Sequence, residues 1–197
     1  MRRTPLHSTC LLLGLALASL AMAAEPFQQD GGPDGLVCVE AEHYDNKVDI
    51  GTNTWSLVTT AAGFTGADGF SGGYAMQIMP DTPAGGRSVN TGYAANSPRL
   101  DFQINFVKTG IHYVWILGFG RDGNADSAHA GLNGLEIATC DRMSGWQGTY
   151  NWSRTTLDGA PSSFEITQTG IHTLNIYMRE DGMVFDKILL TTSDAYT

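Results

Sequence analysis

The sequence predicts an all-β protein in which two sheets pack face to face as a sandwich. Short segments alternate apolar and polar residues with a period of two, as half-buried strands do. Turn clusters rich in glycine, such as GADGFSGG and PDTPAGG, separate these segments, and the chain has 24 glycines. No segment keeps an apolar stripe of 3.6-residue period beyond a turn or two. In a protein that has strands and no helices, the apolar face of one sheet is buried against the apolar face of a second sheet.

The predicted strands come in a fixed order along the chain. They are LVCVEAE, YAMQIM, RLDFQINF, IHYVWILGF, HAGLNGLEI, SSFEIT, IHTLNIYM and MVFDKILL. In the first strand Glu40 and Glu42 are two residues apart and so share one face, which brings two carboxylates together. In the last strand Asp186 interrupts an apolar run, where an unpaired buried carboxylate would be costly. Both strands therefore predict that a positively charged group lies close to these carboxylates.

Two segments of the chain echo each other. TGIHYVWI at 109–116 recurs as TGIHTLNI at 169–176. Two copies are too few for a solenoid, so we interpret them as equivalent strands of the two sheets. The predicted core-facing residues are His112, Val114, Ile116, His172, Leu174 and Ile176, and the predicted outward residues are Tyr113, Trp115, Leu117, Asn175 and Tyr177. Exposed aromatic rings on a sheet face would be a platform for a glycan, and the alternative is that a loop covers that face.

The first 23 residues have the pattern of a secretory signal peptide. Arg2 and Arg3 precede an apolar run at 11–20, and a small-x-small cleavage signal ends at Ala23. The run is shorter than the roughly 20 residues that a membrane span needs. We therefore expect a secreted or periplasmic protein whose residues 24–197 form a single β-sandwich domain. A twin-arginine form of the signal is the alternative.

Charge and cysteine content narrow the classes of partner. The net charge is −9 at pH 7, and loss of the two leader arginines would make it more negative. A protein with this negative net charge is not expected to bind nucleic acid or anionic membranes, and it is suited to binding cations or neutral ligands. After export Cys38 and Cys140 would remain. They could form a disulfide in an oxidising compartment or be two separate buried thiols.

An ordered set of motifs resembles a known family. VEAE, SGGYAMQI, TGIHYVWI, DSAHAGLNG, WQGTYNW and DGMVFDKILL resemble, in this order, the carbohydrate-binding modules of families 6 and 35. The resemblance covers residues 37–191 and implies a galactose-binding-like jelly-roll sandwich with a structural calcium. It implies that Glu40, Glu42 and Asp186 hold the calcium, which prefers several hard oxygen ligands. The alternative is that the two glutamates are merely exposed on an edge strand.

Other motifs suggest chemistry that their context does not support. GFSGG at 69–73 matches the nucleophile elbow of hydrolases, but a strand-like segment follows it where that motif needs a helix. We therefore interpret Ser71 as a turn residue, and the acidic segment 122–126 as a polar turn. A glycosidase acid pair cannot be chosen from sequence, because its function depends on the separation of the carboxylates in space.

Six residues are candidates for glycan contact. Sugar sites combine exposed aromatic rings with polar groups. The candidates are Trp146, Tyr93 and Trp55 in loop-like contexts, Arg179 and Glu180 in the turn REDG, and Trp115 on the sheet face. Tyr93 and Trp55 could instead be buried anchors. Arg179 could bind the carboxylate of an acidic sugar or form a surface ion pair. We expect Trp152 to lie in the core.

Taken together, these features predict an exported, non-catalytic protein that binds a polysaccharide or another glycan. One alternative is a small lyase or hydrolase on the same fold. Another is an adhesive surface domain that binds a protein partner, whose identity the sequence does not give.

Overall fold

The computed structural model describes residues 25–83 and 86–196. The predicted signal peptide lies outside the described residues. The strands, numbered along the described chain, are β1 (Phe27–Gln28), β2 (Val37–Glu40), β3 (Asn46–Val48), β4 (Thr54–Val58), β5 (Ala75–Met79), β6 (Arg99–Phe106), β7 (Gly110–Phe119), β8 (Ala128–Leu132), β9 (Leu135–Glu136), β10 (Tyr150–Ser153), β11 (Ser163–Ile166), β12 (Gly170–Met178) and β13 (Val184–Thr191). A one-turn helix, α1 (Tyr93–Asn96), precedes β6.

The strands form two sheets, which confirms the predicted all-β sandwich. One sheet has six strands in the order β1-β6-β12-β8-β9, with β3 also paired to β6. The other has seven strands in the order β10-β7-β13-β5-β4, with β11 also paired to β7 and β2 to β13. β1 pairs with β6 in parallel, and the other strand pairs are antiparallel.

The two echo segments occupy matching places in the two sheets, as predicted. β7 belongs to the seven-stranded sheet and β12 to the six-stranded sheet. Each begins at a glycine with positive φ, Gly110 (98°) and Gly170 (124°), a conformation that a β-carbon disfavours. The predicted core rows are buried, except that His172 at the start of β12 is only half-buried.

The core lies between the two sheets and contains two tryptophans. The Trp55 ring lies 4.9 Å from the ring of Phe185, and the Trp146 ring lies 6.3 Å from it on another side. Both indoles are buried. Large aromatic rings therefore fill the space between the sheets around Phe185 of β13.

One end of the outer face of the six-stranded sheet is covered, whereas Gln103 and Ile171 at the other end are exposed. Tyr93 of α1 stacks on His129 of β8 with ring centroids 4.1 Å apart, and it meets Tyr177 of β12 edge-on at 5.2 Å. Asn175 and Tyr177 were predicted to be exposed, but both are buried. On this sheet the alternative, a loop over the face, is correct.

The outer face of the seven-stranded sheet is only partly covered. Phe70, Phe119 and Val184 form a small apolar cluster, and Phe64 and Tyr150 pack against it. This cluster places the segment between β4 and β5 over one end of the sheet. The rest of this outer face keeps side chains that solvent can reach, as the exposure of Trp152 shows.

Candidate functional site

The three predicted calcium ligands lie in one cluster. Glu40 ends β2, Glu42 lies in the 3-10 turn Ala41–His43, and Asp186 lies in β13. Ser71 links two of them, because its backbone N–H donates to Asp186 Oδ2 (2.8 Å) and its hydroxyl donates to Glu40 Oε1 (3.2 Å). One detail differs from the prediction. The strand ends at Glu40, so the two glutamates do not share one strand face, and the 3-10 turn carries Glu42.

A β-bulge places Asp186 in this cluster. Phe185 pairs with Gly118 of β7 and Lys187 pairs with the preceding residue, Leu117, so Asp186 is an extra residue without a partner in the ladder. Bulges commonly re-aim a side chain in this way. Asp186 is fully buried, and the Tyr150 hydroxyl donates a hydrogen bond to its Oδ2.

The cluster leaves negative charge without full compensation. Glu40 Oε2, Glu42 Oε2 and Asp186 Oδ1 are buried and have no hydrogen-bond partner. Burial, followed by the neighbouring carboxylate charges, raises the pKa of Glu42 and of Asp186 above the ordinary values. The ammonium of Lys187, 3.0 Å from Glu40 Oε1, offsets part of the charge. Three buried carboxylate oxygens without partners are costly unless the groups are protonated or paired with a cation.

The donor set of this cluster fits calcium in its chemistry. Carboxylate oxygens are the hard ligands that calcium takes. As the side chains lie, no group of three or more His, Cys, Asp or Glu residues within 25–83 and 86–196 is arranged to hold a metal ion. The Lys187 ammonium is bonded to Glu40. A cation bound here would have to share Glu40 with that ammonium or displace it.

A cavity of about 520 Å³ opens beside the cluster. Glu40, Glu42 and Gly72 line one part of it, and His43, Leu57 and Tyr74 line the rest. Leu57 and Tyr74 are 56% and 46% exposed. The carboxylate cluster is therefore next to an open space with apolar walls.

A second cavity, of about 280 Å³, lies on the outer face of the seven-stranded sheet. Trp115, Trp152, Leu189 and Tyr196 line it, and we call it the aromatic cleft. Trp115 is opposite Leu189 across the β7–β13 ladder, and Trp152 is opposite Leu117 across the β10–β7 ladder. The outward orientation predicted for Trp115 is confirmed. Trp152 was expected in the core, but it is 37% exposed, because Ser153 takes the buried position in β10.

A cation lies over the aromatic rings next to the cleft. The guanidinium carbon of Arg154 is 5.0 Å from the ring centroid of Tyr113 and 5.0 Å from that of Trp115. Asp194 holds Arg154 in place through its carboxylate (2.6 Å) and its backbone carbonyl (3.0 Å). The cation–π contacts and the ion pair with Asp194 together hold Arg154 against the rings of Tyr113 and Trp115.

Three aromatic candidates for glycan contact are not accessible. Trp146 was expected in an exposed loop, but it is fully buried and its indole N–H donates to the Ile116 carbonyl (3.2 Å). Trp55 and Tyr93 are also buried, so the alternative of buried anchors is correct for both. The Tyr93 hydroxyl accepts a hydrogen bond from the Ile137 N–H (2.9 Å). None of the three rings can stack on a sugar in this arrangement.

Arg179 and Glu180 are bonded to each other and to Ser127. Arg179 Nη1 contacts Glu180 Oε1 and donates to Ser127 Oγ (2.6 Å), which in turn donates to Glu180 Oε2 (2.5 Å). Glu180 is buried. Burial and the charge of Glu180 raise the pKa of the neighbouring Asp126 to about 6. Arg179 forms an ion pair, as the alternative proposed, but the pair is largely buried and not on the surface, so neither side chain is a free contact.

Sequence reasoning missed three residues of the carboxylate cluster. Ser71 was read only as a turn residue, and Tyr150 and Lys187 were not singled out. Lys187 follows Asp186 directly, and a base beside a predicted ligand was a usable indication. The Tyr150 contact had no local indication, because it joins strands far apart in sequence. Within the described residues, Cys38 and Cys140 form no disulfide with each other, and Cys140 is buried while Cys38 is exposed.

The fold and the two cavities define a β-sandwich domain with a carboxylate cluster at one place and an aromatic cleft at another. Residues 32–196 match the family model of the glycosyl hydrolase family 115 C-terminal domain. The chain therefore belongs to the family of glycosyl hydrolase family 115 C-terminal domains.

Other proteins are similar to this chain. Uncharacterized protein P23 of Formosa agariphila is 29% identical over 189 residues, which cover 83% of this chain and 45% of that protein. The chain thus spans less than half of the length of this relative.

The similar solved structures include carbohydrate-binding modules. CBM35 from Paenibacillus barcinonensis is 17% identical, with a TM-score of 0.47 over 79% of this chain and 98% of that one. The C-terminal CBM6 of LamC from Zobellia galactanivorans is 15% identical, with a TM-score of 0.44 over 80% and 99%. The GH26-CBM35 mannanase of Podospora anserina is 20% identical, with a TM-score of 0.46 over 83% of this chain and 29% of the mannanase. None of the helices in the described part of this chain is long and apolar enough to cross a membrane.

Proposed function

We propose that this protein binds a glycan in the aromatic cleft and performs no chemistry on it. The observation that carries the proposal is the distribution of the four tryptophans. Two are buried in the core, and the other two, Trp115 and Trp152, line the same cleft. A half-buried and an exposed indole in one cleft leave apolar surface in contact with water, which a ligand would cover.

The chemistry of the cleft suits a sugar. Aromatic rings offer flat apolar faces to the C–H faces of a sugar ring. Leu189 and Tyr196 add further apolar surface, and Arg154 at the edge carries guanidinium N–H donors. A volume of about 280 Å³ is at the small end of ligand sites, which run from roughly 300 Å³ upward. We infer that the cleft holds a short part of a longer chain.

The composition of the cleft supports binding over hydrolysis. Glycosidases flank the scissile bond with two carboxyl groups. The four residues that line the cleft include no carboxylate. A small lyase or hydrolase is therefore the less favoured function.

We also propose that Glu40, Glu42 and Asp186 hold a structural calcium. The unpartnered buried oxygens of the three side chains support this. When bound, the ion would neutralise the carboxylates and tie β2 to β13. Ser71 and Tyr150 keep Asp186 and Glu40 in position through their hydrogen bonds, and Lys187 balances the remaining charge.

We place the protein outside the cytoplasm, in line with the predicted signal peptide, and take a polysaccharide or another glycan as its partner. Membership of a glycosyl hydrolase-associated family agrees with such a location.

The test is a glycan array of neutral and acidic polysaccharides, read for binding and for released reducing or unsaturated ends. The Trp152→Ala variant should lose at least about tenfold in affinity, equivalent to about 1.4 kcal/mol. The matched control is Leu157→Ala, another exposed apolar side chain, outside the cleft. Full binding by Trp152→Ala would refute the cleft assignment. Product release by the wild type would establish the enzyme instead.

A further inference from the structure

We propose that the glycan is a linear neutral polysaccharide that crosses the strands of the seven-stranded sheet, from the aromatic cleft over β13 to β2. This inference rests on the proposed function, because the aromatic cleft is one end of the path. It adds a second part to the binding surface, which we call the transverse groove and which consists of Leu117, Lys187, Cys38 and Glu40. The groove makes room for several sugar units in a row.

The strand register places the groove in line with the cleft. Trp152 is opposite Leu117, Leu117 is opposite Lys187, and Lys187 is opposite Glu40. Directly opposite residues of neighbouring strands point to the same side of a sheet, so these four side chains share the outer face. At a strand spacing of roughly 4.8 Å, the row is about 14 Å long. It extends well beyond the cleft.

Two covers on the outer face obstruct a ligand that runs along the strands. On one side Phe70 and Val184 belong to one buried cluster. On the other side Arg154 lies over the ring of Tyr113 and is held there by Asp194. A chain that leaves the cleft between these two covers must run across the strands, in the direction of β2.

The side chains between the two covers are accessible. Leu117, Lys187 and Glu40 are half-buried, and Cys38, which is opposite Leu189 of the cleft, is exposed. Residues on strands have fixed positions relative to one another. The groove therefore offers a ligand the same groups in the same order without a rearrangement of loops.

The groove supplies charged hydrogen-bonding groups that the cleft lining lacks. The Lys187 ammonium contacts Glu40 Oε1 at 3.0 Å. An ammonium has three N–H donors and a carboxylate accepts several hydrogen bonds, so the pair keeps capacity for sugar hydroxyls. Leu117 provides apolar surface between this pair and Trp152. Apolar surface followed by polar groups matches the C–H faces and hydroxyls of a sugar chain.

The charges along the path favour a neutral chain over an acidic one. Lys187 is paired with Glu40, and Arg154 is paired with Asp194, so each cation already has a carboxylate partner. The net charge of the whole chain is −9. A polymer of uronic acids would therefore gain no free positive charge here and would be repelled by the protein as a whole.

The experiment is titration calorimetry of the full-length protein with cello-, xylo- and manno-oligosaccharides of two and six units, and with oligogalacturonides of the same lengths. In at least one neutral series the hexasaccharide should bind at least about tenfold more tightly than the disaccharide. Lys187→Met keeps the aliphatic stem and removes the ammonium, so it should lose most of this gain with length. The matched control is Lys108→Met, in the turn between β6 and β7, which should keep the gain.

A second measurement uses the wild type and so does not depend on the folding of a variant. Cys38 is exposed on the path, whereas Cys140 is buried. Alkylation by iodoacetamide, followed residue by residue with peptide mass spectrometry, should slow at Cys38 when the hexasaccharide is bound. The disaccharide should bind in the cleft and leave the rate at Cys38 unchanged. Cys140 is the internal control for global opening of the domain.

The outcomes separate this inference from the proposed function. If no oligosaccharide binds, or if Trp152→Ala binds all of them as the wild type does, the cleft assignment is wrong and this inference falls with it. If the disaccharide and the hexasaccharide bind equally tightly, only this inference is refuted. A hexasaccharide that binds more tightly without protecting Cys38 leaves the cleft in another direction and also refutes it. The same holds for a gain that folded Lys187→Met retains, or that occurs with oligogalacturonides alone.

Discussion

Replacing Trp146 with alanine should destabilise the protein strongly, although its sequence context is that of a surface loop. The ring is fully buried against Phe185, and its N–H bonds the Ile116 carbonyl. A buried aromatic residue changed to alanine costs about 3–5 kcal/mol, and the orphaned carbonyl favours the upper part of this range. At about 2–4 °C per kcal/mol for a domain of this size, Tm should fall by about 6–20 °C.

The assay is thermal unfolding followed by circular dichroism, with Trp152→Ala as the matched control. Both variants remove an indole from the same chain, but Trp152 is 37% exposed, so its loss should cost about 1 kcal/mol or less. The expected result is a large difference in Tm between two tryptophan variants that are six residues apart. Equal Tm values for the two would refute the division of the tryptophans into core and cleft.

Three further predictions concern charge and buried hydrogen bonds. The gain in Tm from calcium should be larger at about pH 7 than at about pH 4.5, because the raised pKa values of Glu42 and Asp186 make the calcium-free protein lose stability as pH rises above about 4. Asp126→Asn should flatten the pH profile of Tm, because the folded wild type, with a pKa of about 6, keeps a proton that the unfolded chain releases from about pH 4 upward. Tyr93→Phe should lower the free energy of unfolding by about 1 kcal/mol in urea titrations, because the half-buried Ile137 N–H loses its acceptor.

Each of these predictions has a contradicting outcome. A calcium effect that is equal at both pH values would show that the two carboxyl groups do not titrate in the site. An unchanged pH profile in Asp126→Asn would show that another group controls stability in that range. A Tyr93→Phe variant with the stability of the wild type would show that the hydroxyl bond is replaced by water.

The sequence was sufficient to predict the long strands, because each of them buries one face and so carries its own alternation, whereas Trp55 was expected in a loop and lies in the short strand β4. It could not predict whether another segment covers the opposite face. Trp115 in β7 and Tyr177 in β12 both alternate outward, yet only Trp115 lines a cleft. Tyr177 is buried because Tyr93, 84 residues earlier in the chain, packs on it. That contact depends on the path of a loop, which has no periodic pattern.

The residues of the candidate site were predicted only in part, because the packing of loop side chains has no periodic pattern in the sequence. The resemblance to carbohydrate-binding modules implied Glu40, Glu42 and Asp186 as one set, and the structure brings the three carboxylates together. The two tryptophans 146 and 152 were assigned to the wrong surroundings. A tryptophan between glycine and glutamine looks exposed, but the ring of Trp146 turns inward to fill the space beside Phe185. Local composition does not report the direction in which a loop side chain packs.

The bulge in β13 means that strand length controls the carboxylate cluster. Phe185 and Ile188 are both in the core although they are three positions apart, whereas neighbouring core residues of a regular strand are two positions apart. Deleting Asp186 would restore the regular ladder, keep Phe185 and Ile188 in the core and leave Lys187 facing outward. A single inserted or deleted codon in β13 would therefore add or remove one carboxylate of this cluster in a domain of this family, without a change in the residues that hold the two sheets together.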